Sequence, residues 1–332
     1  IICGQSNSSS NYAKIIKLPN QLNSPILADT ISQTRLWKKH KNIICHYDFF
    51  INKINQKPDL IIRFGKKPTS KKLNLLLKKY NNITYLITNN SGYNDDVSNL
   101  IYDQDIIESN NNSHEWLKYI KEIDIKVGTL LSNNMKTTFF EGNIVYSIVN
   151  NLNKKDNLFA GNSLVVRNME KYCSNVDKEI NVLSNRGASG IDGIISTSMG
   201  MAAINKNLRN ILIIGDVSFF YDISSLLLNK NKMNLTIIVI NNNGGQIFST
   251  LNYQTKIKNF DKFMLTNTDI KIKELSKISN INYYNLKSIN MINSKLNSII
   301  DKKGLQIIEI NTKIETLLNM ERDINKKLEL II

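Results

Sequence analysis

Short apolar runs rich in isoleucine, valine and leucine recur along the chain and stop abruptly at small or polar residues. Their length and β-branched composition predict strands. In the second half, the runs at 158–160, 180–183, 211–214 and 235–240 break into Gly161-Asn162-Ser163, Ser184-Asn185-Arg186-Gly187, Gly215-Asp216 and Asn241-Asn242-Asn243-Gly244-Gly245. Helical periodicity fills 143–152 and 164–172, and a helical run follows Gly193. Later come helices near 271–279 and 290–302, strands at 283–286 and 305–311, and a C-terminal helix. The first part predicts strands at 1–3, 25–28, 60–64 and 83–88. It also predicts a helix at 70–79 that carries Leu73, Leu76 and Leu77 on one face. Residues 89–112 read as polar and loop-rich with short ordered pieces, and 126–137 as a linker. Strands alternating with helices imply parallel sheets. The expected fold class is α/β, with two doubly wound domains of mainly parallel sheets over 1–125 and 139–332, joined by a linker at 126–138.

Composition changes this picture little. The 332 residues suffice for two domains, and the net charge of +15 alone would suggest an anionic partner. The lysines, however, are scattered among asparagine and isoleucine along the whole chain. There is no arginine-rich stripe and no basic patch interleaved with aromatics, so no nucleic-acid partner is expected. No apolar run reaches membrane-spanning length, so no membrane span is expected. Cys3, Cys45 and Cys173 are far apart and odd in number, which suggests a reducing compartment rather than a disulfide framework. His40, His46 and His114 show no metal-ligand spacing. The chain opens on Ile1-Ile2-Cys3-Gly4, a strand already under way and without Met, so further sequence upstream is expected.

The chemistry concentrates where the apolar runs end. Asp216 and Asn242 close two strands that a helix and a return strand separate, so they are expected at one carboxyl edge, where open α/β sheets bind ligands. One carboxylate and one amide carbonyl suit Mg²⁺, a hard cation that takes oxygen ligands and bridges to phosphate. Gly244 is the residue best placed to turn a backbone carbonyl inward. Read singly, Gly215-Asp216 is also a turn with a helix cap, and 241–245 is also a loop. The pair favours the cation. Asn162 and Ser163 end a strand and open a helix, as Ser218 does after Asp216. Their side chains and backbone N–H groups suit a diphosphate oxygen or, equally, a simple cap. Gly187, Gly190 and Gly193 form G-x-x-G-x-x-G, whose spacing is not that of the dinucleotide fingerprint.

Gly215-Asp216-x-Ser218 followed by Asn241-Asn242 resembles the diphosphate and Mg²⁺ motif of thiamine-diphosphate enzymes. Gly161 to Arg167, Ser184 to Gly193 and Asn241 to Ser249 resemble, within that group, the 2-succinyl-5-enolpyruvyl-6-hydroxy-3-cyclohexene-1-carboxylate synthase family of menaquinone and phylloquinone biosynthesis. The resemblance is dense from about 159 to 251. It is looser before 124, where Asp29-Thr30-Ile31-Ser32-Gln33-Thr34 is the best piece. It implies a thiamine-diphosphate-binding fold, with 1–125 as the central domain and 139–332 as the diphosphate- and metal-binding domain. It implies thiamine diphosphate and Mg²⁺, with Mn²⁺ as a substitute. The reaction implied is decarboxylation of 2-oxoglutarate and 1,4-addition of the succinyl carbanion to isochorismate. The metal ligands implied are Asp216, Asn242 and Gly244. The cofactor residues implied are Asn162, Ser163, Ser189, Gly190, Ile191, Gly215, Asp216, Ser218, Asn242, Gly244 and Ile247. Ile191 would be the apolar wedge that bends the cofactor; by the residues alone it is equally plain helix-face core.

Both implied substrates are dicarboxylates, which makes Arg167 and Arg186 the substrate residues, since a planar guanidinium fork matches a carboxylate. Lys71 joins them by looser alignment; its other reading is a solvated lysine at a helix start. The resemblance further implies a homo-oligomer, dimer or tetramer, with sites between subunits, in plastid stroma or a bacterial-type cytoplasm. The glutamate that such enzymes place on the cofactor's pyrimidine lies on a separate N-terminal domain that no segment here matches. The 332 residues alone are therefore expected to be inactive. Two alternatives stay open: another thiamine-diphosphate carboligase or decarboxylase, such as an acetolactate-synthase-like enzyme, and a non-enzymatic basic binding protein.

Overall fold

The structure is a computed structural model that describes residues 1–6, 12–88, 99–102, 114–135, 138–228, 233–251, 257–267, 270–278 and 281–330. It divides into two compact units. The first comprises Ile1–Lys136, Glu170–Glu179 and Asp323–Ile332, and the second Thr137–Met169 and Ile180–Arg322.

The first unit carries strands β1 (Ile2–Cys3), β2 (Ile26–Ala28), β3 (Ile43–Ile44), β4 (Ile61–Phe64), β5 (Thr84–Thr88) and β6 (Asn99–Tyr102). They pair in parallel in the order β3-β2-β1-β4-β5-β6. Strands covered on both faces read as continuous apolar runs, and Ile26, Ala28, Ile62 and Phe64 are all buried in one cluster with Ile15 and Leu18 of the helix Tyr12–Leu22. The predicted linker at 126–138 is corrected. Residues up to 135 belong to one helix, His114–Met135, whose Ile120, Ile123, Val127, Leu131 and Met135 are buried at helical spacing. An apolar stripe that long must be covered, and it holds the segment helical. Within the stretch expected to be loop-rich, β6 is ordered as a strand, while 89–98 and 103–112 lie outside the described residues. The Asp29 carboxylate caps the turn Thr30–Ser32 by accepting from Ile31 N at 3.0 Å. Nearby, Arg35 and Glu170 form a buried ion pair at 2.9 Å, and the Tyr47 hydroxyl also donates to Glu170.

The second unit carries β7 (Asn157–Ala160), β8 (Asn181–Leu183), β9 (Asn210–Gly215), β10 (Leu235–Asn241), β11 (Asn282–Asn285) and β12 (Leu305–Asn311). These too are parallel, in the order β11-β12-β10-β9-β7-β8. Leu212, Ile214, Ile237, Val239 and Ile307 form the core with Phe219 and residues of the helix Ile194–Ile204. Strand order reverses between β7 and β9, and doubly wound sheets bind ligands at such a switch point, outside the carboxyl ends. The chain can pass closely there because residue 161 is glycine. A Cβ at Gly161 would lie 2.8 Å from the Ile213 carbonyl oxygen.

Candidate active site at the switch point of the second sheet

Register brings the acid and the amide together. Gly215 is paired with Ile240, so Asp216 and Asn242 leave β9 and β10 at the same edge. Asp216 opens the short helix Asp216–Tyr221 and is buried. Its Oδ1 accepts from Val217 N at 2.9 Å and its Oδ2 from Gly244 N at 2.7 Å. Burial raises its pKa to about 6, against the pull of those N–H groups. The Gly244 carbonyl accepts from Gln246 N at 2.8 Å, which leaves one lone pair. Residue 244 sits at φ +130°, and a Cβ there would fall 2.2 Å from the Leu265 carbonyl oxygen.

A cavity of about 180 Å³ opens at this edge. Asn162 and Ser163 come to it from the loop after β7, Asp216 and Ser218 from the turn after β9, and Asn242 and Ile247 from the segment after β10. Gly215, Gly244 and Ile191 also line it. Ile191 stands outside the helix Ile194–Ile204 and is half-buried, so the helix-core alternative for it does not hold. Ser189 and Gly190 are exposed and do not line the cavity. Asn162 spends its amide on bridging loops: Nδ2 donates to the Gly190 carbonyl at 2.7 Å, and Oδ1 accepts from Arg186 Nη1 at 3.4 Å. Arg167 Nη1 donates to the Ser163 carbonyl at 2.7 Å. Partial burial, then the charge of Arg186, holds the Arg167 guanidinium below its ordinary pKa. Lys71 is exposed in the first unit, where it opens the helix Lys71–Lys79. A wider cleft of about 740 Å³ lies at the amino edge of the second sheet, among Lys206, Arg209 and Lys302, far from any strand end that carries the acid and amide.

Glu141 belongs to the site without any motif to announce it. It opens the helix Glu141–Asn151 and is 2 % exposed. Its Oε1 accepts from Asn242 Nδ2 at 2.6 Å and from Thr312 Oγ1 at 3.3 Å, and its Oε2 from Asn168 Nδ2 at 3.0 Å. Burial lifts its pKa to about 6; the Asn242 and Thr312 donors oppose the lift and Asp216 adds to it.

These residues fit a diphosphate-bound divalent cation. Asn242 Oδ1 is buried and has no hydrogen-bond partner, an arrangement that costs roughly 1–3 kcal/mol unless something takes the lone pair. No group of three or more His, Cys, Asp or Glu that could hold a metal ion occurs among the described residues. A Mg²⁺ ion held by one carboxylate, one amide oxygen, one backbone carbonyl and phosphate oxygens needs no such group.

Two parallel sheets, one with an acid and an amide at its switch point, define a doubly wound α/β chain of the thiamine-diphosphate-binding fold. No protein-family model matches the chain. Curated relatives do. The 2-succinyl-5-enolpyruvyl-6-hydroxy-3-cyclohexene-1-carboxylate synthase of Listeria welshimeri is 34 % identical over 90 % of this chain and 55 % of its own length. The enzymes of the same name from Oceanobacillus iheyensis and Bacillus cytotoxicus are 32 % and 30 % identical, over 94 % and 97 % of this chain and 57 % and 58 % of their own. The chain is similar to that synthase family over nearly all of its own length, and it spans about half the length of the curated relatives it matches.

Proposed function

We propose that the chain carries the diphosphate half of a thiamine-diphosphate- and Mg²⁺-dependent synthase of menaquinone or phylloquinone biosynthesis. Its reaction is decarboxylation of 2-oxoglutarate and 1,4-addition of the four-carbon product to isochorismate. The observation that supports this best is the buried, unpartnered Asn242 Oδ1 beside Asp216 at the switch point. Asp216, Asn242 and the remaining lone pair of the Gly244 carbonyl take the cation, Mg²⁺ or Mn²⁺. Ser163 and Ser218 offer hydroxyls to the diphosphate. Asn162 holds the loop of Ser189 and Gly190 against the loop after β7, and Ile191 and Ile247 supply apolar wall. When bound, thiamine diphosphate supplies the electron sink for breaking and making the carbon–carbon bonds. Arg167 and Arg186 receive substrate carboxylates. We assign the protein to a homo-oligomer in plastid stroma or a bacterial-type cytoplasm; its three buried, unbridged cysteines suit a reducing compartment.

Calorimetry tests the metal assignment. The chain is expected to bind thiamine diphosphate only with Mg²⁺ present, and Asp216→Ala to lose that Mg²⁺-dependent binding. Equal affinity in the two proteins removes Asp216 from the cation site.

A further inference from the structure

An asparagine amide can present either its oxygen or its NH₂ to a cavity, and only the oxygen can hold a cation. Something must therefore fix which way Asn242 points. Glu141 is buried at 2 % exposure and reaches the Asn242 Nδ2 at 2.6 Å. An ionised carboxylate only accepts hydrogen bonds, so the atom that faces it must be the NH₂. The carboxylate is itself held by Thr312 Oγ1, just past the end of β12, and by Asn168 Nδ2, on the helix Leu164–Tyr172. Three donors from three separate segments thus converge on its two oxygens. The consequence is the unpartnered Asn242 Oδ1, because with Nδ2 committed to Glu141 the oxygen is what remains.

We propose that Glu141 is a positioning residue for the cation, its carboxylate locking the Asn242 amide so that Oδ1 is presented to the metal. This rests on the reading of Asp216 and Asn242 as the cation site. Partners behind a ligand orient it and commonly govern its affinity for the metal by about 10–100-fold.

The polarity of the hydrogen bond provides the test. In Glu141→Gln one acceptor oxygen must serve three donors, and the new NH₂ competes as a donor against the Asn168 and Asn242 amides, so the lock on Asn242 is weakened. Asn242→Asp sets a carboxylate against Glu141. The double variant Glu141→Gln/Asn242→Asp restores the bond with its direction reversed: the glutamine NH₂ donates to one aspartate oxygen, and the other oxygen is left for the cation. Mn²⁺ binding in the presence of thiamine diphosphate is read by loss of the free Mn²⁺ electron-paramagnetic signal. Thermal unfolding of the ligand-free proteins reports folding separately. Each single variant is expected to weaken Mn²⁺ by about 10-fold or more, and the double variant to return to within a few-fold of wild type. Wild-type affinity in Glu141→Gln, or a double variant no tighter than Glu141→Gln alone, overturns the positioning role. Failure of the wild-type protein to bind Mn²⁺ with thiamine diphosphate overturns instead the cation site on which the role rests.

Discussion

Arg167 and Arg186 hold to one loop from two elements. Arg167, on the helix after β7, bonds the Ser163 carbonyl, and Arg186, after β8, bonds the neighbouring Asn162 side chain. Among the described residues neither is paired with a carboxylate. Two guanidiniums held near one another without an acid between them would suit an anion, since each keeps N–H donors to spare. Arg167→Ala or Arg186→Ala should therefore leave Mg²⁺-dependent cofactor binding intact in the active enzyme. Each should lower kcat/KM for a dicarboxylate by about 10–100-fold, or roughly 1.5–3 kcal/mol. Steady-state kinetics with 2-oxoglutarate and isochorismate decide it; wild-type values for both substrates would make the arginines structural. Both positions were singled out in the sequence because they fall in the segments that follow β7 and β8, a local signal. Glu141 was not legible. Its partners Asn168, Asn242 and Thr312 stand 27, 101 and 171 residues away, and only the folded sheet gathers them.

At the scale of elements, the centre of the second sheet was readable because β9, β10 and β12 are six or seven residues long and largely apolar. β12 falls at 305–311 as its composition predicts, and the helix Leu164–Tyr172 matches its periodicity. In the first unit, β3 has two residues, too few for any periodicity, and the long helix His114–Met135 is masked by polar residues between its buried positions. The segment after β10 is held to the end of β9 through its backbone. Gly244 N donates to Asp216, so the loop and the acid fix each other, and the conformation at φ +130° admits no side chain. In Gly244→Ala the new methyl would meet the Leu265 backbone oxygen, which cannot swing aside as a side chain would. The loop must move, and Asp216 loses a hydrogen bond in a buried place. The expected loss exceeds about 1 kcal/mol of stability, together with weaker Mg²⁺-dependent cofactor binding. At Gly215 a Cβ would meet nothing within 4 Å, and the backbone φ of −79° is ordinary. Gly215→Ala is thus the control, with a much smaller shift in thermal unfolding. Equal shifts in the two variants would show that the loop after β10 absorbs the methyl.

At the scale of the whole molecule, the second unit gathers at its strand ends the residues proposed to hold a diphosphate and its cation, and among the described residues no carboxyl lining the cavity is free for proton transfer. Asp216 is committed to two backbone N–H groups and Glu141 to three side-chain donors. Synthases of this family need a carboxyl on the cofactor's pyrimidine, as the resemblance implies, and the chain aligns with only 55–58 % of its relatives' length. Binding and turnover should therefore separate. The 332 residues are expected to bind thiamine diphosphate with Mg²⁺ but to release no CO₂ from 2-oxoglutarate. Supplying the part of a curated relative that lies outside the match, fused or in trans, should restore CO₂ release. Capture of labelled CO₂ from 2-oxoglutarate carrying the label at its first carbon measures both arms. Sustained release by the chain alone would mean that the proton-transferring acid lies within it. Glu141 would then be the first carboxyl to test, because it is buried beside the cavity with its pKa already raised to about 6. Loss of release in Glu141→Gln with cofactor binding retained would move that residue from positioning the cation to handling the proton.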